Sequence, residues 1–133
     1  MTKSRFLSSA AVLAASGGLC AAALAATPYS VKLKVPKYPT IGHSIKVKAS
    51  GTSAAGSRLT VFLSTKSCAS SAKAEAGRSS HEVINKTVAG GFTSSKTIKP
   101  SATGSYHACA YLTGGGHTRA HASATYFVVG PGY

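Results

Sequence analysis

Residues 104–112 read GSYHACAYL, and this stretch is central to the fold prediction. It places Tyr106 and Cys109 three residues apart in an apolar run that follows a glycine. Residues 113–119, TGGGHTR, are rich in glycine, and a second apolar stretch, ASATYFVV, occupies residues 122–129. Two apolar stretches around a glycine-rich connection predict the last two strands of a β-structure, joined as a hairpin.

Three more stretches near the start of the chain have strand character. Residues 29–35 (YSVKLKV) and 44–50 (SIKVKAS) alternate strictly between apolar residues and polar ones, which is the period of a half-buried strand. Residues 58–64 (RLTVFLS) are more apolar throughout, as expected of a strand whose two faces are both partly covered. The composition of residues 51–57, GTSAAGS, predicts a loop between the last two of these strands.

The middle of the chain is less regular. Residues 68–80 contain alanines and a glutamate and predict at most a short helical turn that ends at Gly77. Residues 81–91 and 92–100 predict two strands joined at the Gly90-Gly91 pair.

One position in this region breaks the alternation. Lys96 falls on the same strand face as Phe92 and Ile98, so we expect an edge position or a bulge there. In total the sequence predicts about seven short strands with almost no helix. This pattern indicates an all-β fold, an antiparallel immunoglobulin-like β-sandwich of about 100 residues.

The first residues have the features of an export signal. Lys3 and Arg5 precede a moderately apolar stretch, residues 6–19, and an Ala-Leu-Ala cleavage pattern ends at Ala25. We expect cleavage after Ala25 or one residue later. The predicted organisation is a signal peptide at 1–25 followed by one domain at 26–133, secreted and without a transmembrane anchor.

Removal of the signal changes the charge and the cysteine count. The formal net charge falls from +13 to +11 when Lys3 and Arg5 are lost. Cys20 lies within the signal and is lost with it. The leucine directly before Cys20 does not fit a lipidation site, so we do not expect this cysteine to be kept as a lipidated first residue. The remaining pair, Cys68 and Cys109, predicts a disulfide, because an even number of cysteines in an exported domain normally means a bridge.

Two motifs of this chain together resemble the immunoglobulin-like modules of exported bacterial proteins of unassigned activity. The first is C-A-x5-E, formed by Cys68, Ala69 and Glu75, and the second is G-x-Y-x-x-C-A-Y-L at residues 104–112. The resemblance covers most of the chain after the signal. It implies a β-sandwich with a disulfide, and it implies no catalytic residues.

The spacing of Tyr106 and Cys109 predicts how the disulfide is placed. In antibody domains the equivalent tyrosine lies two residues before its cysteine, so both face the same way. A spacing of three places the two side chains on opposite faces. We expect Tyr106 to pack inward with Ala108 and Leu112, and Cys109 to face outward and hold the 68–77 segment. The alternative is a bulge that restores the usual geometry, with the disulfide between the two sheets.

The residue types exclude several activities. The chain has only two acidic residues, Glu75 and Glu82, and neither aspartate nor tryptophan. A Ser-His-Asp triad is therefore excluded, and glycoside hydrolysis by paired carboxylates would require the two glutamates to meet. Calcium binding would be short of carboxylate ligands. We expect both glutamates to serve salt bridging or capping on the surface, and we predict a protein that is not an enzyme and binds no cofactor.

Two of the five histidines, His107 and His121, are candidate metal ligands. A hairpin register centred on Gly114 would place His107 directly opposite His121, and an imidazole pair can bind Zn²⁺ or Cu²⁺. No acidic residue or free thiol completes such a site. We therefore predict surface histidines and no metal site.

The lysines of the first two strands predict a charged surface. Lys32, Lys34, Lys46 and Lys48 project from the faces opposite the apolar residues, and these strands pair in an immunoglobulin-like sandwich. We expect one exposed patch, with Lys37 and Lys99 at its margin. One interpretation is solubility and protection of the sheet edge. The other is a docking face for an anionic envelope polymer or another acidic surface, with binding that weakens steeply as salt rises.

These observations predict a secreted, non-catalytic module with a structural or binding role at the cell envelope or outside the cell. The alternative is an effector whose positive charge is itself the activity, either a polyanion binder or a membrane-active protein. The sequence has no specific nucleic-acid-binding motif. It also lacks the amphipathic helix that membrane-active proteins usually carry.

Overall fold

The structure is a computed structural model, and it describes residues 29–132. The predicted signal peptide at 1–25, with Cys20, lies outside the described residues. The described part consists of five strands and one short helix: β1 (Ser30–Lys34), β2 (Ile45–Ser64), α1 (Ala72–Ala76), β3 (His81–Ile98), β4 (Gly104–Gly114) and β5 (His117–Val128). The only helix in residues 29–132, α1, is too short to cross a membrane.

All pairings between these strands are antiparallel. The hydrogen-bonded order is β1-β2-β4-β5, and β3 also pairs with β2. An isolated parallel bridge joins Thr40 to Val129, next to the end of β5.

Every predicted strand overlaps an observed strand to within one or two residues at its ends, but two pairs of them are continuous, so the structure has five strands where about seven were predicted. The stretches 44–50 and 58–64 are both part of β2, and the predicted loop between them is wrong. The register with β3 shifts between Ser53 and Ser57, so the small residues bend β2 without ending it. Gly56 and Gly90 meet this bend with φ of 79° and 61°, values that an L side chain rarely adopts.

The bend divides the β2–β3 pair between two layers. The first half of β2 pairs with β1 and with the end of β3, and the second half pairs with the start of β3 and with β4. Side chains from both halves meet in one buried cluster: Val47, Ala49, Leu59, Val61, Ile84, Val88, Ala110 and Leu112. The two layers therefore face each other across a common core, and the fold is an antiparallel immunoglobulin-like β-sandwich.

Strand β3 is an edge strand along its length. Among the described strands it pairs with β2 alone, and Lys96 lies opposite Val47. The expectation of an edge position at Lys96 is confirmed. An edge allows the lysine to reach solvent although the position belongs to the inward face.

Candidate functional site

The disulfide joins Cys68 to Cys109, as predicted, with their Cα atoms 5.6 Å apart. Cys109 and Tyr111 form a buried cluster with Phe62 on the outer face of β4 and β2, whereas Ala110 belongs to the core between the layers. The prediction that Cys109 faces away from the core and holds the 68–77 segment is confirmed. The alternative, a bridge between the two sheets, is wrong because β4 keeps a regular register with β2 across this stretch.

Cys109 is nevertheless fully buried, because a chain segment lies over it. Residues 65–80, here named the covering segment, include α1 and connect β2 to β3. Ala72 packs on the Phe62 cluster, and its backbone N–H donates to the hydroxyl of Thr118 at 3.0 Å. A second contact therefore fastens the covering segment to β5.

Glu75 of α1 is 0% exposed, so the expectation of a surface glutamate is wrong for this residue. Its carboxylate accepts hydrogen bonds from the Ala69 N–H at 2.8 Å, the Tyr111 hydroxyl at 2.9 Å and the Ser80 hydroxyl. Arg78 forms an ion pair with it at 3.5 Å, as the salt-bridging prediction anticipated. Burial alone would raise the pKa of Glu75, but these hydrogen bonds and the Arg78 charge outweigh burial and lower it.

Tyr111 connects this carboxylate to the sheet. Its hydroxyl lies 2.7 Å from the carbonyl oxygen of Ala69 and 2.9 Å from Glu75 Oε1. A phenol has one proton, so the two acceptors share it. Burial first, and then the Glu75 carboxylate, raise the pKa of Tyr111. Glu82, by contrast, is exposed on β3, and the two glutamates form no catalytic arrangement with each other among the described contacts.

Tyr106 faces the interior, as predicted. Its hydroxyl donates to the carbonyl oxygen of Ala102 at 2.9 Å, which is the hydrogen bond of the tyrosine corner in immunoglobulin-like folds. Its ring stacks on Tyr126 at a centroid distance of 5.5 Å. Burial, and then the neighbouring Tyr106, raise the pKa of Tyr126 to about 12.

The predicted pairing of His107 with His121 is wrong. His107 lies opposite Thr125, and His121 lies opposite Tyr111, because the hairpin turns at Gly115-Gly116 and the register shifts after Leu112. The two histidines are therefore four residues apart along the strand, about 13 Å. No group of three or more potential metal ligands occurs among residues 29–132.

The four lysines, here named the lysine face, occupy the outer side of the β1–β2 pair. Lys32, Lys34, Lys46 and Lys48 are all exposed, and Lys34 lies directly opposite Lys48. Directly opposite residues have Cβ atoms about 5 Å apart. Two further lysines were predicted at the margin of this face. The Nζ atom of Lys37 lies 5.8 Å from the ring centroid of Tyr38, and Lys99 lines a cleft at the end of the sandwich.

Hydroxyl side chains surround the lysine face. Lys32 lies opposite Ser50, Lys46 opposite Thr97, and Lys48 is also opposite Ser95 on β3. The outward positions of these three paired segments carry no acidic residue. This side of the sheet therefore combines positive charge with hydroxyl groups, and its own carboxylates do not neutralise it.

Sequence reasoning missed the cleft that Lys99 lines. It has a volume of about 820 Å³ and lies where β2 ends and where β3 both begins and ends. Lys96 also lines it, so the broken alternation at Lys96 was the signal in the sequence that could have indicated this site.

Comparisons with known proteins address the fold. No protein-family model matches the sequence, and no curated protein matches it. The structure is similar to the sulfur carrier protein SoxY from Chlorobium limicola f thiosulfatophilum, with a TM-score of 0.54 and 14% identity over 74% of this chain and 78% of that chain. It is also similar to the PKD domain of an M14-like peptidase from Thermoplasmatales archaeon SCGC AB-540-F20, with a TM-score of 0.51 and 13% identity over 77% of this chain and 98% of that one.

At these identities the similarity concerns the fold alone. It supports the immunoglobulin-like β-sandwich that the sequence motifs implied.

Proposed function

We propose that this protein is an exported, non-catalytic immunoglobulin-like module that binds an anionic polymer of the cell envelope through the lysine face. The observation that carries the proposal is the placement of Lys32, Lys34, Lys46 and Lys48 on one exposed side of two paired strands. The disulfide supports export, because such bridges persist in oxidising compartments.

Fold stability does not account for the lysine face. Like charges directly opposite each other in a sheet are destabilising, by a few tenths of a kcal/mol for an exposed pair. Lys34 and Lys48 form such a pair, and neither lysine has an ion-pair partner among the described residues.

Edge protection accounts for only part of the lysine face. Strand β1 is an edge, so Lys32 and Lys34 can guard it against pairing with another chain. Lys46 and Lys48 lie on β2, which is paired with β1 on one side and with β3 on the other. Lys48 is paired on both sides and needs no such guard, which favours a binding role for it, whereas Lys46 lies beyond the end of the β1 pairing and pairs with β3 alone.

The surrounding hydroxyls fit the same ligand. Lysine ammonium groups bind phosphate as point charges, and neighbouring serine and threonine hydroxyls can donate hydrogen bonds to its oxygens. A polymer with regularly spaced phosphates, such as wall teichoic acid, could contact several of these groups together.

The test is replacement of all four lysines by serine, with binding to purified wall teichoic acid followed across a salt series. The logarithm of the binding constant falls linearly as the logarithm of the salt concentration rises. Each lost phosphate contact makes this fall less steep by about 0.7, so the slope of the quadruple variant should be shallower by up to about 3. The matched control replaces Arg58, Lys73, Lys86 and Arg119 by serine, since these four are exposed and lie outside both the lysine face and the cleft.

Because both variants lose the same charge, the control separates a specific face from the general charge of the protein. Equal weakening in the two variants would mean that binding follows net charge, and an unchanged quadruple variant would contradict the proposal.

A further inference from the structure

The cleft at the end of the sandwich has the size of a small-molecule site. Its volume, about 820 Å³, lies within the roughly 300–1,000 Å³ that ligand pockets usually occupy. It contains none of the four lysines of the lysine face and adjoins that face only at Thr97, so an inference about it does not depend on the proposed function.

The topology explains why the sandwich is open here. His81, at the start of β3, pairs with Leu63 in one layer, and Ile98, at its end, pairs with Ile45 in the other. No described strand covers the free edge of β3. The two ends of a single strand therefore form opposite walls of the cleft, and nothing in residues 29–132 closes the gap between them.

The floor of the cleft is apolar and well packed, while polar and charged side chains line much of the rest. Tyr126 and Val128 are 2% and 4% exposed and belong to a buried cluster on which Leu63 and Tyr106 also pack. Ile98 completes this apolar lining. Because stacking and the tyrosine-corner hydrogen bond hold Tyr106, this part of the site is formed before any ligand arrives.

The rim of the cleft is cationic. Five basic residues line it, against the single acidic residue Glu82: Lys66, Arg78, His81, Lys96 and Lys99. Arg78 is already paired with Glu75, and this is the one ion pair found among residues 29–132. Lys96 shares the inward strand face with Ile98, and it is exposed because the sandwich is open at this edge. Neither Lys96 nor Lys99 has an ion-pair partner among the described residues, and an anion at the rim would provide that partner.

We propose that the cleft binds a small anionic amphiphile, an aliphatic chain with one carboxylate or phosphate head group. The chain would lie against Leu63, Ile98 and Tyr106, which are partly exposed in the cleft, above the buried Tyr126 and Val128. The head group would meet Lys96 and Lys99 at the rim. Apolar burial provides most of the affinity in such a site, and the charges orient the ligand.

The test uses three probes with the same ten-carbon chain, each below its critical micelle concentration: decanoate, decyl phosphate and decyltrimethylammonium. Binding is followed by the backbone amide shifts of the ¹⁵N-labelled protein. Decanoate, decyl phosphate or both should shift the amides of Lys96, Ile98 and Tyr106, and the cationic probe should not. The comparison of the two anions distinguishes a carboxylate ligand from a phosphate ligand.

The charge requirement is tested with the double variant Lys96→Gln/Lys99→Gln. Loss of two charge-assisted contacts at an exposed rim should weaken anion binding about tenfold. The matched control is Lys73→Gln/Lys86→Gln, which removes two exposed lysines that do not line the cleft and should bind as the parent does.

Three results would overturn the proposal: equal binding of the cationic probe, equal affinity of the two double variants, or no shift at the cleft amides at millimolar anion. Anion-induced shifts confined to the lysine face would also contradict it, while leaving the proposed polymer binding intact.

Discussion

The side chain of Glu75 holds the covering segment to the sheet. It receives hydrogen bonds from Ala69, Ser80 and Tyr111 and is paired with Arg78. These groups come from the segment itself and from β4, so a single buried carboxylate joins the two. Its loss leaves several buried donors without an acceptor.

We expect Glu75→Gln to lower the free energy of unfolding by about 1–3 kcal/mol, because the amide keeps the shape but replaces one acceptor oxygen by a donor. Chemical denaturation at neutral pH measures this loss. Glu82→Gln is the control, since Glu82 is exposed and its substitution should change stability within about 0.5 kcal/mol. Equal effects of the two substitutions would contradict the role of Glu75.

The same carboxylate predicts an acid sensitivity. The pKa of Glu75 in the folded protein lies below its usual value of 4.5, so the unfolded chain binds a proton more readily than the folded one. The stabilisation is complete above the unfolded pKa and is lost as pH falls through the folded pKa. The melting temperature of the parent should therefore drop below about pH 4.5 more than that of Glu75→Gln. Parallel curves for the two proteins across this range would show that Glu75 does not carry the effect.

Between the covering segment and β4, the disulfide determines whether the segment stays on the sheet. It closes a loop between residues 41 apart in the sequence, which corresponds to roughly 4 kcal/mol in the chain-entropy model. The double variant Cys68→Ala/Cys109→Ala should be destabilised by a few kcal/mol.

Hydrogen exchange of that variant localises the effect. Amides of the covering segment should lose protection much more than those of β5, since the remaining contacts of the segment with the sheet are a few hydrogen bonds and the packing of Ala72. A uniform loss of protection over the whole sandwich would instead indicate that the disulfide stabilises only the global fold.

The pairing of β1 with β2 depends on a glycine. A Cβ atom at Gly51 would lie 1.9 Å from the carbonyl oxygen of Ser30, so Gly51→Ala should displace β1 and destabilise the fold by about 1–3 kcal/mol. Gly91→Ala is the control, because that position lies on the neighbouring strand with no atom within 4 Å of the added Cβ. Thermal unfolding compares the two, and a similar melting temperature for both variants would contradict the close approach.

The placement of positive charge over the surface distinguishes a module that binds an envelope polymer from a membrane-active effector. The positive charge of the lysine face lies on a flat sheet, and the only helix of residues 29–132 has five residues. Membrane disruption usually requires an amphipathic helix that inserts its apolar side. We therefore expect no dye leakage from anionic liposomes at low micromolar protein, with a lytic amphipathic peptide as the positive control. Leakage at that concentration would support the membrane-active alternative.

Alternation along single strands could be predicted because it depends only on the local geometry of a pleated chain. Alternation predicts that Tyr106 and Cys109 face opposite ways and that the four lysines point outward. The break in alternation at Lys96 predicts its edge position. The register between strands could not be predicted in the same way. The pairing of His107 with His121 failed because the turn and the register shift near Leu112 depend on the two strands together.

The strand regions, the disulfide partners and the face on which each lysine lies could be predicted from the chain alone, because period-two patterning and cysteine count are local properties. Packing between segments is what makes β2 and β3 continue through their glycines, buries Glu75 and opens a cationic cleft beside β3. These features depend on which segments cover one another. Burial and cavities are properties of packed layers, and no alternation within a single strand specifies what lies against it.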